Sequence, residues 1–273
     1  MNVIKKIAAI GVLGLVLLVV AFDLWGFLTL GKLTPEDEPI RDTNANAVVM
    51  VFGATGSVGD GLLKAAIADP KVKKVYAIAR SASPRMEAGV NSGKVEIRLH
   101  QDFTDYSALA DILGEVNTVL WGLGTSSLKV DDATYTKIHV DFPVAFITAW
   151  LSARKTGPMS FHYVTGMGTD ANGDQHWARE KGRAEHELAM LATGSDLRTF
   201  SYRSAFVRPT SEQANVLDYI GEMLLRPGKL VITAGELGSA MLEISARTSE
   251  LANGTLIDNA DSIAYAEAYH SDQ

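Results

Sequence analysis

Short apolar runs alternate with longer segments whose apolar positions recur at helical spacing over most of this chain. From residue 48 onward that alternation predicts a doubly wound parallel α/β sheet. Strands are expected at 48–52, 75–79, 95–99, 118–121, 160–164 and 198–202, with helices at 57–68, 132–153 and 175–191. Pro70 stops the first of these helices. Toward the C-terminus the pattern predicts a strand at 230–233, a helix at 237–248, a strand at 255–257 and a closing helix at 260–269. Right-handed crossovers put every strand C-terminus on one edge, where ligands of such sheets bind.

The N-terminus follows another pattern. Lys5 and Lys6 precede sixteen uncharged residues, 7–22, then Asp23 and a second apolar piece, 24–30. Together, residues 7–30 suffice to cross a hydrocarbon layer of roughly 30 Å as a helix. A cleaved signal peptide is the rival reading. Ala21-Phe22-Asp23 is a poor small-x-small cleavage site and the apolar run resumes after Asp23, which favours a retained single-pass anchor. The expected organisation is therefore a transmembrane helix in 1–31, a polar linker at 32–47 and a Rossmann-type domain at 48–273, whose substrate-side part begins near 203. Orientation stays open: the flanking charges put the domain on the far side of the membrane, whereas a nicotinamide cofactor is ordinarily met on the cytosolic side.

Composition narrows the chemistry. The 273 residues include no cysteine, which removes disulfides, thiol nucleophiles and thiolate metal sites. The six histidines lack metal-ligand spacing, so no metal is expected. A formal charge of -7 argues against a nucleic-acid surface.

The first strand runs into Gly53-Ala54-Thr55-Gly56-Ser57-Val58-Gly59, a turn suited to a dinucleotide pyrophosphate at a helix N-terminus. Gly53 would make the turn, Gly56 admit the phosphates and Gly59 let helix pack on strand. After the second strand come Arg80 and Ser81, where an NAD site usually carries an acid for the ribose hydroxyls. A guanidinium there can pair with a 2'-phosphate, which favours NADP over NAD. After the third strand, Asp102 and Phe103 fall beside the expected adenine, Asp102 being equally suited to capping its turn. After the fourth, Gly122-Leu123-Gly124-Thr125 offers small residues and free amides.

The order and spacing of these features, with His139-Val140-Asp141-Phe142, the segment Val164 to Asp170 and Lys181-Gly182-Arg183-Ala184-Glu185, resemble the atypical short-chain dehydrogenase/reductase superfamily. The resemblance covers about 48–270 and is nearest to its NAD(P)H-binding group, similar to the human Tat-interacting tumour-suppressor reductase. It implies a Rossmann fold, a nicotinamide dinucleotide, often NADPH, and a substrate held by the C-terminal part. It also implies a hydroxyl that holds the substrate oxygen, a tyrosine that passes the proton and a lysine four residues later. Thr165 and Lys181 match the first and last, while Trp177 stands where the tyrosine belongs, and an indole cannot relay a proton at neutral pH. No Tyr-x-x-x-Lys occurs elsewhere.

Two functions are left open by that substitution. One is a reductase acting on a small or lipid-like carbonyl, with His176 or a water supplying the proton. The other is a non-catalytic NADP(H)-binding sensor, scaffold or assembly factor at a membrane, with a protein partner or a second copy. Arg203 matches a family arginine, but Ser204 and Ala205 replace the proline and glycine that follow it. Apolar residues 223–225 and 241–244 suit either a pocket or the core.

Overall fold

The computed structural model describes residues 2–271, with side chains for residues 13, 14 and 16–271. The elements, in chain order, are α1 (Asn2–Thr29), β1 (Val48–Phe52), α2 (Gly59–Ala68), β2 (Lys74–Ala79), α3 (Pro84–Asn91), β3 (Val95–Leu99), α4 (Ala110–Leu113), β4 (Thr118–Trp121), α5 (Asp132–Thr136), α6 (Phe142–Ala153), β5 (Met159–Val164), α7 (His176–Ala192), β6 (Leu197–Arg203), β7 (Phe206–Arg208), α8 (Val216–Leu225), β8 (Val231–Thr233), α9 (Ala234–Ala246), β9 (Thr255–Asp258) and α10 (Asn259–Ser271). A single π-type turn, Lys137–Asp141, joins α5 to α6, so the helix expected at 132–153 is continuous but carries extra backbone in its middle.

Seven strands form one parallel sheet in the order β3-β2-β1-β4-β5-β6-β9. Because both faces are covered, each strand sends alternate side chains into two different cores. Val49 and Val51 of β1 enter the layer under α2, α9 and α10, while Met50 and Phe52 enter the layer under α6 and α7. In the second layer Phe52, Trp121, Phe146 and Phe161 pack ring against ring, with centroid distances of 4.4 Å for Phe52–Trp121 and 4.8 Å for Phe52–Phe146. Trp121 and Trp150 are fully buried packing residues.

Three departures from the sequence pattern concern the C-terminal third and the linker. Residues 230–233 do not extend the main sheet: β8 pairs with β7 in a separate two-stranded ribbon. Within the stretch from 203 onward, expected to hold the substrate, α9 packs on α2 and β9 is the seventh strand of the sheet, so both complete the core. Met241, Leu242 and Ile244 are core, whereas Met223 and Leu224 on α8 face out. Finally, residues 32–47 are docked: the Lys32 and Leu33 amides donate to Asp261 Oδ1 (2.7 and 2.8 Å), the Gly31 amide donates to Asp258 Oδ2 (2.7 Å), and buried Asn46 donates to the Leu242 carbonyl (2.7 Å).

The expected membrane span coincides with α1, a continuous helix of 28 residues. Among the described residues no helix is long and apolar enough to cross a membrane. Of the expected span, the side chains of residues 7–12 and 15 lie outside the described residues.

Candidate functional site

Strand order reverses between β1 and β4, and the loops leaving these two strands diverge to open a crevice. Its floor is glycine by necessity. Gly53 has φ +70°, and a Cβ there would stand 2.7 Å from the Gly122 backbone. A Cβ on Gly59 would stand 2.0 Å from the Gly53 carbonyl oxygen, so only glycine lets α2 start this close to β1. No side chain caps α2. Its first turn is instead braced from behind, where Arg85 holds buried Asp60 through two bonds (2.8 and 3.0 Å) and Thr210 Oγ1 donates to Asp60 Oδ2 (2.6 Å). The Asp60 and Gly61 amides are taken by the Gly56 and Val58 carbonyls (2.9 and 3.0 Å), and Gly56, Ser57 and Val58, which lead into α2, line the crevice, so a helix N-terminus adjoins it, an arrangement suited to an anion.

The crevice has two lobes. The larger, about 610 Å³, is walled by Ser57, Val58, Thr125, Thr165, Trp177 and Lys181, among others; the smaller, about 110 Å³, by Gly53, Thr55, Arg80 and Phe103. Gly56, Gly122, Leu123 and Gly124 line both and join them. This matches a dinucleotide in outline: an adenosine end against Arg80 and Phe103, phosphates at Gly56, and a second nucleoside near Lys181. The Arg80 guanidinium forms no ion pair among the described residues.

Three expected residues lie elsewhere. Ser81 is exposed and lines neither lobe. Asp102 turns to its own loop, where it accepts from the Thr104 hydroxyl (2.5 Å) and amide (2.9 Å); those bonds hold its carboxyl below the usual range. His176 also lines neither lobe. Its imidazole contacts Thr136 Oγ1 (3.3 Å) and the Asp132 carbonyl (3.2 Å), tying α7 to α5, which takes it away from the place of a proton donor.

Lys181 and Thr165 are held tightly together. Lys181 Nζ donates to the Thr165 carbonyl oxygen (3.0 Å), and desolvation pulls the Lys181 pKa down from 10.5 to about 8. Thr165 Oγ1 donates to Glu185 Oε1 (2.9 Å) and is 3.1 Å from the Tyr202 carbonyl, so its proton points into the protein. Glu185 in turn accepts two bonds from Arg203 (3.1 and 2.6 Å). Arg203 is thereby a brace, as is Arg208, which pairs with Glu222 at 2.5 Å. Trp177, one helical turn before Lys181, lines the large lobe with its ring against Gly166 and Gly168.

Among the lining residues not singled out for the site are Ser126, Lys129, Val207 and His139. His139 lies in the π-type turn, buried, with Nε2 2.9 Å from the Thr125 carbonyl oxygen and 3.2 Å from the Thr125 amide nitrogen, so the Thr125 backbone engages this nitrogen in either tautomer. Burial, reinforced by the charge of Lys181, lowers its pKa to about 3, so the ring is neutral. Its Nδ1 and Ser204 Oγ are buried without a protein partner at the wall of the large lobe. Such orphaned polar atoms, with a floor that any Cβ would fill, fit a ligand rich in hydrogen-bonding groups.

No family model matches the chain. Among curated proteins it is similar to "Protein FMP52, mitochondrial" of Chaetomium globosum, 32% identical over 122 residues, which are 44% of this chain and 49% of that protein. The chain spans about half the length of that curated relative. Solved structures share the fold more widely. They include a 3-oxoacyl-[acyl-carrier protein] reductase from Brucella melitensis in complex with NAD (TM-score 0.62, 14% identity, covering 80% of this chain and 97% of that one). Others are the Bordetella bronchiseptica enzyme WbmF in complex with NAD+ (0.58, 16%, 85% and 81%) and a UDP-N-acetylglucosamine 4-epimerase from Bacillus cereus (0.56, 14%, 77% and 78%). At these identities the likeness establishes the fold alone, a Rossmann-type parallel α/β sheet.

Proposed function

We propose that this chain is an NAD(P)(H)-binding, oxidoreductase-like protein of the atypical short-chain dehydrogenase/reductase superfamily, held at a membrane by α1 and preferring NADP(H). The observation that carries the reading is the two-lobed crevice, whose glycine floor, adjoining α2 N-terminus and Lys181 wall converge on the shape and charge of a dinucleotide. The NAD carried by structural neighbours supports it. The subgroup resemblance supports the NADPH preference, as does the guanidinium of Arg80 in the small lobe, which would meet a 2'-phosphate.

When bound, a nicotinamide would supply a hydride. The chain's own groups then decide whether a carbonyl can accept it. Lys181 would hold ribose hydroxyls and, with its pKa pulled down to about 8 by burial, both carries a proton at neutral pH and can release it. Neutral His139, tied to Thr125, and Thr165, whose proton points at Glu185, are poorly set to donate. A small or lipid-like carbonyl is the substrate class that suits a membrane-held reductase.

Trp177 and the inward-turned Thr165 favour a second reading, a holder of NADP(H) that signals or scaffolds without turnover. Turnover of NADPH with a panel of aldehydes and quinones separates them. Activity in the unaltered chain supports the reductase; activity that appears only in Trp177→Tyr supports the holder.

For the anchor, support comes from the uncharged run 7–22 and from the outward apolar side chains of α1, among them Leu13, Leu17, Leu18, Phe27 and Leu28, each 59–70% exposed. Asp23, the acid that interrupts the run, lines a cavity of about 270 Å³ with Arg226 and Lys229, on the domain side of the helix.

A further inference from the structure

α8 is the one helix of its size among the described residues with no buried side chain. Its outward residues are large and apolar: Val216, Leu217, Met223 and Leu224 are 61–75% exposed, and Ile220 is 43% exposed. At 100° per residue these five positions fall on a single arc of about 120°, the width of a face that normally packs on a core. Among the described residues no element covers it. The opposite side sits on the β7–β8 ribbon, with the Phe206 ring 3.3 Å from the place a Cβ on Gly221 would occupy. A patch of this size on a separate, well-capped helix needs an occupant.

The connection to α1 says which. The turn after α8 is pressed into the C-terminal part of α1: a Cβ on Gly26 would stand 2.5 Å from the Gly228 carbonyl oxygen, and one on Gly228 would strike the Phe22 ring at 2.3 Å. Lys229 Nζ lies 5.2 Å from the Phe27 ring centroid. On that same stretch of α1, Phe22 and Trp25 stack at 5.7 Å, and tryptophan is a residue enriched at the boundary between hydrocarbon and water. Each acid of α8 has a partner on the protein. Asp218 accepts from the Asn215 amide (2.8 Å) in a capping box, and Glu222 pairs with Arg208 (2.5 Å) and Arg226 (3.3 Å).

We propose that α8 is a second membrane-contacting element: it lies in the interface of the bilayer that α1 enters and buries its 216–224 face among the upper acyl chains. The inference rests on the anchor reading of α1 given above. It has a consequence for the crevice, because β7 carries Phe206 under α8 and Val207 into the wall of the large lobe. A helix seated on lipid thus brings that wall close to the bilayer.

The chain has no cysteine, so a single one can be placed and labelled cleanly. The full-length Met223→Cys chain, carrying an environment-sensitive fluorophore, is reconstituted in phosphatidylcholine vesicles, some containing acyl-chain-brominated lipid. The Asp111→Cys chain, labelled at an exposed site on α4 beside the opposite sheet edge, serves as control. At a depth of about 5–10 Å, the label at 223 emits to the blue and loses roughly half its intensity to brominated lipid, while the label at 111 does neither. A label at 223 that stays in water while the chain floats with the vesicles overturns the inference and leaves the anchor standing. Blue emission at 223 that rises with protein concentration and ignores brominated lipid also overturns it, giving the face to a second copy. Equal quenching at both positions overturns it as adsorption of the whole domain. A chain that does not float with vesicles at all defeats the anchor, and this inference with it.

Discussion

Gly59 illustrates how little room the crevice floor leaves. With a Cβ 2.0 Å from a carbonyl oxygen, Gly59→Ala must push α2 off β1. Overpacking of this kind costs about 3 kcal/mol, which lowers the Tm by roughly 6–12 °C, and the displaced amides lose the dinucleotide. Thermal unfolding with and without NADPH checks both effects; an unchanged Tm would contradict the packing argument. Lys181 makes a different prediction. Its folded-state pKa, about 8, lies below the unfolded 10.5, so between these values the unfolded chain holds a proton that the folded chain has released. Stability therefore rises with pH across that window, and the penalty for burying the charge is complete below it. Denaturant midpoints across the window should rise for the unaltered chain and rise less for Lys181→Met; parallel curves would remove Lys181 from the account. His176 is predicted to be silent. Because it contacts Asp132 and Thr136 outside both lobes, His176→Ala should leave NADPH affinity within about twofold, the range of a substitution away from the site.

Elements differ in how openly the sequence announces them. The strands under two helical layers were legible because both faces are buried, so their apolar runs are unbroken, as in 48–52 and 118–121. The glycine turn and Lys181 were legible because each residue type has few alternative uses at that position. His139 was not, for a reason of phase: the π-type turn adds backbone to the helix, so a 3.6-residue period carried through 132–153 assigns its face wrongly. α8 escaped because an apolar helix face is read as core, although Asn215 with Asp218 three residues later is a capping signature in the sequence itself. β7 is three residues long and pairs only with β8, too short a run to register. At this scale α7 is the element to perturb. It carries Trp177, Lys181 and Glu185, and Glu185 joins it to β5 through Thr165 and to β6 through Arg203. Glu185→Gln removes the charge from a buried bond to a guanidinium, an expected loss of about 1–3 kcal/mol. A urea midpoint unchanged from that of the unaltered chain would show the brace to be idle.

In the whole molecule the seven-stranded parallel sheet is put to different uses at one edge and at its middle. At the β9 edge, Asp258 and Asp261 gather the amides of Gly31, Lys32 and Leu33, so the base of α1 is fastened to the domain and cannot swing on a loose tether. At the switch point between β1 and β4 lies the crevice, and on this rests the central claim that the chain binds a nicotinamide dinucleotide and prefers the phosphorylated form. The most direct test is equilibrium titration of the detergent-solubilised full-length chain with NADPH and NADH, repeated with Arg80→Ala. The account predicts saturable binding of both, tighter for NADPH, with the preference lost in Arg80→Ala and NADH affinity little changed. Absence of saturable binding to either dinucleotide would contradict it.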